Sequence, residues 1–81
     1  MKVKIRLYGE LALMFGREIE MEVKENTSLN DILDPLFRSK GLKLDDIIQS
    51  HLLIVNGVIQ KRDYKVKNQA EIKVLPIFHG G

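Results

Sequence analysis

The chain has 81 residues, 44% hydrophobic and 30% charged, with only two prolines. That is room for one domain with one core, and too apolar a composition for disorder. It has no cysteine, which removes disulfides, a thiolate nucleophile and the usual zinc ligands together, and its net charge of +2 is spread over locally alternating signs, as on a solvated surface.

The opening "KVKIRLY" alternates polar and apolar, which predicts a half-buried strand with Val3, Ile5 and Leu7 on one side and Lys2, Lys4 and Arg6 on the other. After Gly9, the stretch from Glu10 to Phe15 is apolar at helical spacing and closed by Gly16, which suits a short helix or turn. Its apolar run "LALMF" is too short for a signal-peptide core or a membrane span, so a cytoplasmic protein is expected. Next, "EIEMEVK" alternates strictly and predicts a strand that buries Ile19, Met21 and Val23.

The period then changes. In "NTSLNDILDPLFRSKG", Ser28, or Thr27 beside it, can cap a helix, with Asp31 near the first-turn dipole. Leu29, Ile32, Leu33, Leu36 and Phe37 recur at helical spacing, and Gly41 ends the pattern. Pro35 lacks an N–H and clashes one turn back, so a kink or break is expected there.

A less regular linker through "LKLDDIIQSH" follows, and then "LLIVNGVIQ" places Asn56-Gly57 between apolar stretches. Both residues tolerate positive φ, which predicts a tight hairpin turn with a short second strand. Lys61, Arg62, Tyr64, Lys65 and Lys67 are the one candidate for a basic, aromatic nucleic-acid stripe. An exposed loop and strand face is the preferred reading, and no nucleic-acid partner is expected. Ile72 and Val74 alternate with Lys73 and Leu75 as a last strand that runs almost directly into "PIFHGG".

The order strand, strand, helix, strand, short strand, strand is compatible with one helix packed on a small mixed sheet: an α+β, β-grasp, ubiquitin-like architecture. Residues 1–75 form the expected domain and 76–81 a tail. The hairpin "LLIVNGVIQ", the closing strand "EIKVLP", the end "PIFHGG" and the opening "VKIRLYGELALMFG" together resemble the MoaD-type small subunit of molybdopterin synthase, over essentially the whole chain. Relatives of that family include the ThiS-type carrier of thiazole synthesis and the ubiquitin-related modifiers. Pro76 matches the first of two prolines in the family pattern, whereas Ile77 replaces the second and Asn68-Gln69-Ala70 stands where a Gly-Asp turn is usual.

The resemblance implies a carrier, not an enzyme in itself. An adenylating enzyme of the ubiquitin-activating type would transfer AMP from ATP to the carboxylate of Gly81, and a sulfur donor would displace AMP to leave a thiocarboxylate. The acceptor chemistry would then lie on the large subunit of molybdopterin synthase. Carriers for tRNA thiolation or thiazole synthesis, and a modifier joined to lysine through the same glycine, are the alternatives. A passive binding module with incidental glycines is disfavoured.

Gly80 and Gly81 suit that role physically, because a Cβ would restrict both passage into a narrow nucleotide site and the backbone angles available there. The six residues from Pro76 to Gly81 reach about 20 Å when extended. Pro76 is expected to stiffen the exit and help the chain leave the ladder. Leu75, Ile77 and Phe78 are expected docking contacts for a partner, with self-packing of Phe78 as the competing reading. His79 is either a hydrogen-bonding group in the activating pocket or a polar spacer, with the spacer preferred. Asp45-Asp46 reads as a helix start and not as a catalytic pair. His51 and His79 are too few for a metal site, and no bound cofactor is expected.

Overall fold

A computed structural model describes residues 1–77, so the expectations attached to Phe78, His79, Gly80 and Gly81 lie outside the described residues. Alternation gives β1 (Lys2–Leu7), in which Val3, Ile5 and Leu7 are buried and Lys2 and Arg6 exposed. The helix α1 (Gly9–Phe15) follows at once. It stops at Gly16, whose φ of 92° is one that a side chain would resist and whose N–H donates to the Ala12 carbonyl at 2.8 Å. The chain then returns as β2 (Glu18–Glu22), antiparallel to β1 with Ile5 opposite Ile19. Because β2 is an edge strand, Ile19 and Met21 are only half-buried, as is Val23 just beyond it.

The short strand β3 (Thr27–Ser28) leads into α2 (Leu29–Arg38). Ser28 is the cap, its Oγ accepting the Asp31 N–H at 3.1 Å. At the other end the Leu42 N–H reaches the Phe37 carbonyl and the Gly41 N–H the Arg38 carbonyl, each at 3.0 Å, around Gly41 at φ 77°. This is the two-bond glycine stop of a Schellman motif. Leu29, Ile32, Leu33 and Phe37 are buried, and Leu36 is half-buried.

The expected break at Pro35 does not occur, since α2 runs through it. Pro35 and Asp31, four residues apart on one helix face, are both exposed. The Asp31 carbonyl that loses its partner is therefore on the solvent side, while the four buried residues hold the opposite face to the core. Pro35→Ala restores that bond and is expected to stabilise the domain by about 1–2 kcal/mol, the helix gain less the unfolded-state restriction that proline supplies. A thermal melt followed by circular dichroism checks this as a raised midpoint.

The linker after α2 contains a one-turn helix, α3 (Leu44–Ile47), with Asp45 and Asp46 in its first turn as the sequence suggested. Then come β4 (His51–Val55), β5 (Val58–Ile59), β6 (Lys65–Val66) and β7 (Ala70–Pro76). The β4–β5 turn is built as expected, on Asn56 at φ 48° and Gly57 at φ 85°. Asn56 also accepts the Glu71 N–H on its Oδ1 at 2.9 Å, tying the turn to β7.

The main sheet has the order β2-β1-β7-β4-β5, and β3 pairs with β6 in a separate two-stranded ladder. β7 is parallel to β1, with Ile72 beside Ile5, and antiparallel to β4, with Val74 opposite Leu53. One sheet face contributes Val3, Ile5, Leu7, Leu53, Val55, Ile72 and Val74 to a core closed by the buried face of α2. A single main helix packed in the curve of a mixed sheet is the β-grasp, ubiquitin-like fold.

Candidate functional site

The parallel pairing of β1 with β7 decides where the C-terminus emerges. Both strands run toward the same end of the sheet, so Pro76 leaves beside the start of α1. Leu75 lies on the outer face of β7, half-buried and opposite Leu52 of β4. Pro76 stands opposite His51, and the Ile77 N–H donates to the Ser50 carbonyl at 2.8 Å.

Pro76 therefore does not take the chain out of the ladder, as the sequence led us to expect. It is the last residue of β7, and pairing with the β4 side persists to Ile77. Hydrogen bonds to the β4 side come from odd-numbered residues, Glu71 through its carbonyl and Ile77 through its N–H. A proline at 76 faces the other way and costs that ladder nothing.

The outer sheet face is divided in two. Over β2 and β1 it is a lattice of charges: Lys2 to Glu20 at 3.9 Å, Lys4 to Glu18 at 3.8 Å, and Arg6 to Glu18 and Glu71 at 3.5 and 3.6 Å. Exposed pairs like these add little stability, but they keep an edge strand from recruiting another chain. Toward the exit the face turns apolar. Leu52 and Ile54 of β4 alternate with the buried Leu53 and Val55, and Leu75 and Ile59 stand beside them in register. Ile59 is 61% exposed and Ile77 37%. The sequence analysis named Leu75 and Ile77 of this face and passed over Leu52, Ile54 and Ile59. The signal was available, because alternation that buries Leu53 and Val55 must turn Leu52 and Ile54 outward.

His51 closes the start of β4. Its Nδ1 lies 3.0 Å from the Ile47 carbonyl and 2.9 Å from Ser50 Oγ. A carbonyl can only accept, so we assign a proton to Nδ1 as the donor to Ile47. Among the described residues no three His, Asp or Glu side chains converge as metal ligands. No helix among them is long and apolar enough to cross a membrane.

The basic stripe considered for nucleic acid is not assembled. Tyr64 is half-buried against the core, and Arg62 turns inward to other partners. Its Nε and Nη2 donate to Asn30 Oδ1 at 3.0 and 2.6 Å, and its Nη1 donates to Asp45 Oδ1. The same loop caps α2, with the Leu29 and Asn30 N–H groups reaching the Tyr64 and Arg62 carbonyls at 2.9 and 2.8 Å. Arg62 thus fastens the β5–β6 loop to α2 and α3.

The Arg62 hydrogen bond, and then its charge, hold the Asp45 carboxyl below the usual carboxylate range. A folded-state pKa below the unfolded one means that the contribution is complete above the ordinary carboxylate range and is lost as pH falls through the folded value. Thermal melts of the protein and of Asp45→Asn are expected to differ at neutral pH, with the variant lower, and to converge on acidification.

A family model described as the ThiS family matches residues 5–81. Among solved structures the chain is similar to SAMP1 from Haloferax volcanii, at 19% identity over 100% of both chains with a TM-score of 0.75. It is similar to a chain in the complex of subunits 1 and 2 of molybdopterin-converting factor from Helicobacter pylori 26695, at 18% identity over 100% of both chains with a TM-score of 0.66. A ubiquitin-like protein from Caldiarchaeum subterraneum matches at 21% identity, over 99% of this chain and 100% of that one, with a TM-score of 0.55. At these identities the structural likenesses establish the fold. No curated protein matches the chain.

Proposed function

The chain belongs to the ThiS family, and we propose that it is a sulfur carrier whose Gly81 is the reacting residue. The observation that carries this reading is that the family match extends across Gly80 and Gly81, ending at residue 81. The Gly81 carboxylate attacks the α-phosphorus of ATP on an adenylating enzyme of the ubiquitin-activating type, forming an acyl-adenylate and releasing pyrophosphate. Adenylation is required because a carboxylate has no good leaving group until AMP is attached. A donor of sulfide-level sulfur then adds HS⁻ to the carbonyl carbon, the bond from that carbon to the AMP oxygen breaks with the electron pair leaving on AMP, and a thiocarboxylate remains.

For the acceptor we propose the molybdopterin precursor, with this chain as the small subunit of molybdopterin synthase and the catalytic groups on the large subunit. The MoaD-like sequence features support this choice, as does the structural likeness to a chain from a complex named for subunits 1 and 2 of molybdopterin-converting factor. The apolar half of the outer face suits such a partner. Leu75 and Ile77 enter it together with Leu52, Ile54 and Ile59, and a contiguous apolar surface next to a reacting terminus is what a docking partner would cover.

The test is intact-mass spectrometry after incubation with ATP, the host's activating enzyme and a sulfur donor. The expected result is a gain equal to exchange of one oxygen for one sulfur, localised to the C-terminal fragment. No gain, with an activating enzyme competent on another carrier, would remove the sulfur-carrier reading. Lysine conjugates bearing Gly80-Gly81 would then favour the modifier alternative.

A further inference from the structure

Beside the exit of β7, on the side away from the outer sheet face, lies a groove of about 450 Å³ between the start of α1 and α3. Leu11, Met14, Leu42 and Ile47 form its apolar lining, and Pro76 is part of its wall. Next to Met14 on α1, Leu13 is 89% exposed, more than any other large apolar side chain among the described residues. A leucine in that position forfeits the burial that normally accompanies its type.

The charge of the groove is as uneven as its polarity. Glu10 and Asp46 both line it, both are exposed, and neither has an ion-pair partner among the described residues. The glutamates of the sheet, by contrast, face bases: Glu18 and Glu20 pair with Lys4 and Lys2. No lysine or arginine lines the groove, in a chain whose net charge is +2. Two uncompensated carboxylates over an apolar floor attract a cation on a greasy stem.

We propose that this groove is a second docking surface, which receives a segment of the activating enzyme carrying an arginine or lysine beside an apolar side chain. The inference rests on the sulfur-carrier reading, because a groove walled by Pro76 serves a partner that takes the C-terminus. Contacts here and on the outer face would grip the exit strand from both sides, fixing the direction in which Gly81 is presented.

The experiment is ATP–pyrophosphate exchange by the host's activating enzyme with the full chain as substrate. Glu10→Gln combined with Asp46→Asn is expected to raise KM about five- to tenfold at low salt with kcat unchanged. Glu10→Lys with Asp46→Lys should raise it further, and the differences should shrink in high salt. Both acids lie in first turns of short helices, so Met14→Ala, which removes an exposed apolar side chain of the groove lining and keeps helix propensity, supplies an independent reading and should also raise KM.

Equal KM values for all variants, with the unchanged chain activated normally, would overturn this inference and leave the proposed function standing. Failure of the unchanged chain to support exchange, with an enzyme active on another carrier, would remove the function and this inference with it. Self-association of the unchanged chain that Glu10→Lys with Asp46→Lys abolishes, measured by sedimentation, would assign the groove to a second copy and overturn the proposal.

Discussion

A chain extended by a single alanine beyond Gly81 is expected to lose adenylation and thiocarboxylate formation altogether while melting at the same temperature. The reacting carboxylate would be moved about 3.5 Å farther along the chain and carried on a residue with a Cβ. The Gly81 carbonyl would become an amide that cannot be adenylated. No core residue changes, because the buried side chains end with Val74 among the described residues. Exchange assays and mass spectrometry measure the first effect, and calorimetry the second. Full activity of the extended chain, with trimming excluded by mass, would remove every mechanism that activates Gly81.

Phe37→Ala is the complementary case, with a large effect on stability and none specific to the chemistry. Phe37 is fully buried and is the only fully buried aromatic among the described residues. Its ring meets Phe15 edge-on, with centroids 5.6 Å apart at 71°. Truncation should cost about 3–5 kcal/mol, against a total of roughly 4–12 kcal/mol for a chain of this size. The midpoint of thermal unfolding should fall by about 15–30 °C, if a folded baseline survives at all. Phe37→Leu, which retains most of the volume, should cost less than about half as much. If Phe37→Ala melted within a few degrees of the unchanged protein, the packing of α2 on the sheet described above would be wrong.

Local pattern was enough for much of the fold. β1, α2 and the Asn56-Gly57 hairpin were legible because each carries its own periodicity or turn chemistry within a few residues. β3 and β6 were not, since a two-residue ladder has no period and exists only because residues nearly forty positions apart in sequence meet. α3 was half legible, as a helix start without the length to show a repeat. β7 begins at Ala70, earlier than its alternation suggested, because register with Val3 of β1 extends it.

The site divides along the same line. Leu75 and Ile77 could be found from their place next to the terminus, but the apolar half-face that surrounds them depends on strand order. Arg62 carried no local sign of its role, for it joins Asn30 and Asp45 across separations of 32 and 17 residues. Pro35 and Pro76 were both read as interruptions, and both are accommodated. In each case the missing N–H falls where the surrounding architecture does not ask for one: toward solvent on α2, and away from β4 on β7.

The placement of β7 between β1 and β4 has a mechanical consequence. A partner that draws Gly81 into an active site applies traction along the axis of β7. Five residue pairs to β1 and five to β4 lie across that axis. The load is shared by both ladders in shear, so that no bond can be peeled off without straining its neighbours. An edge strand in the same position would unzip from its single neighbour one pair at a time. The body of the protein can therefore serve as a handle, able to be pulled by its end without coming apart.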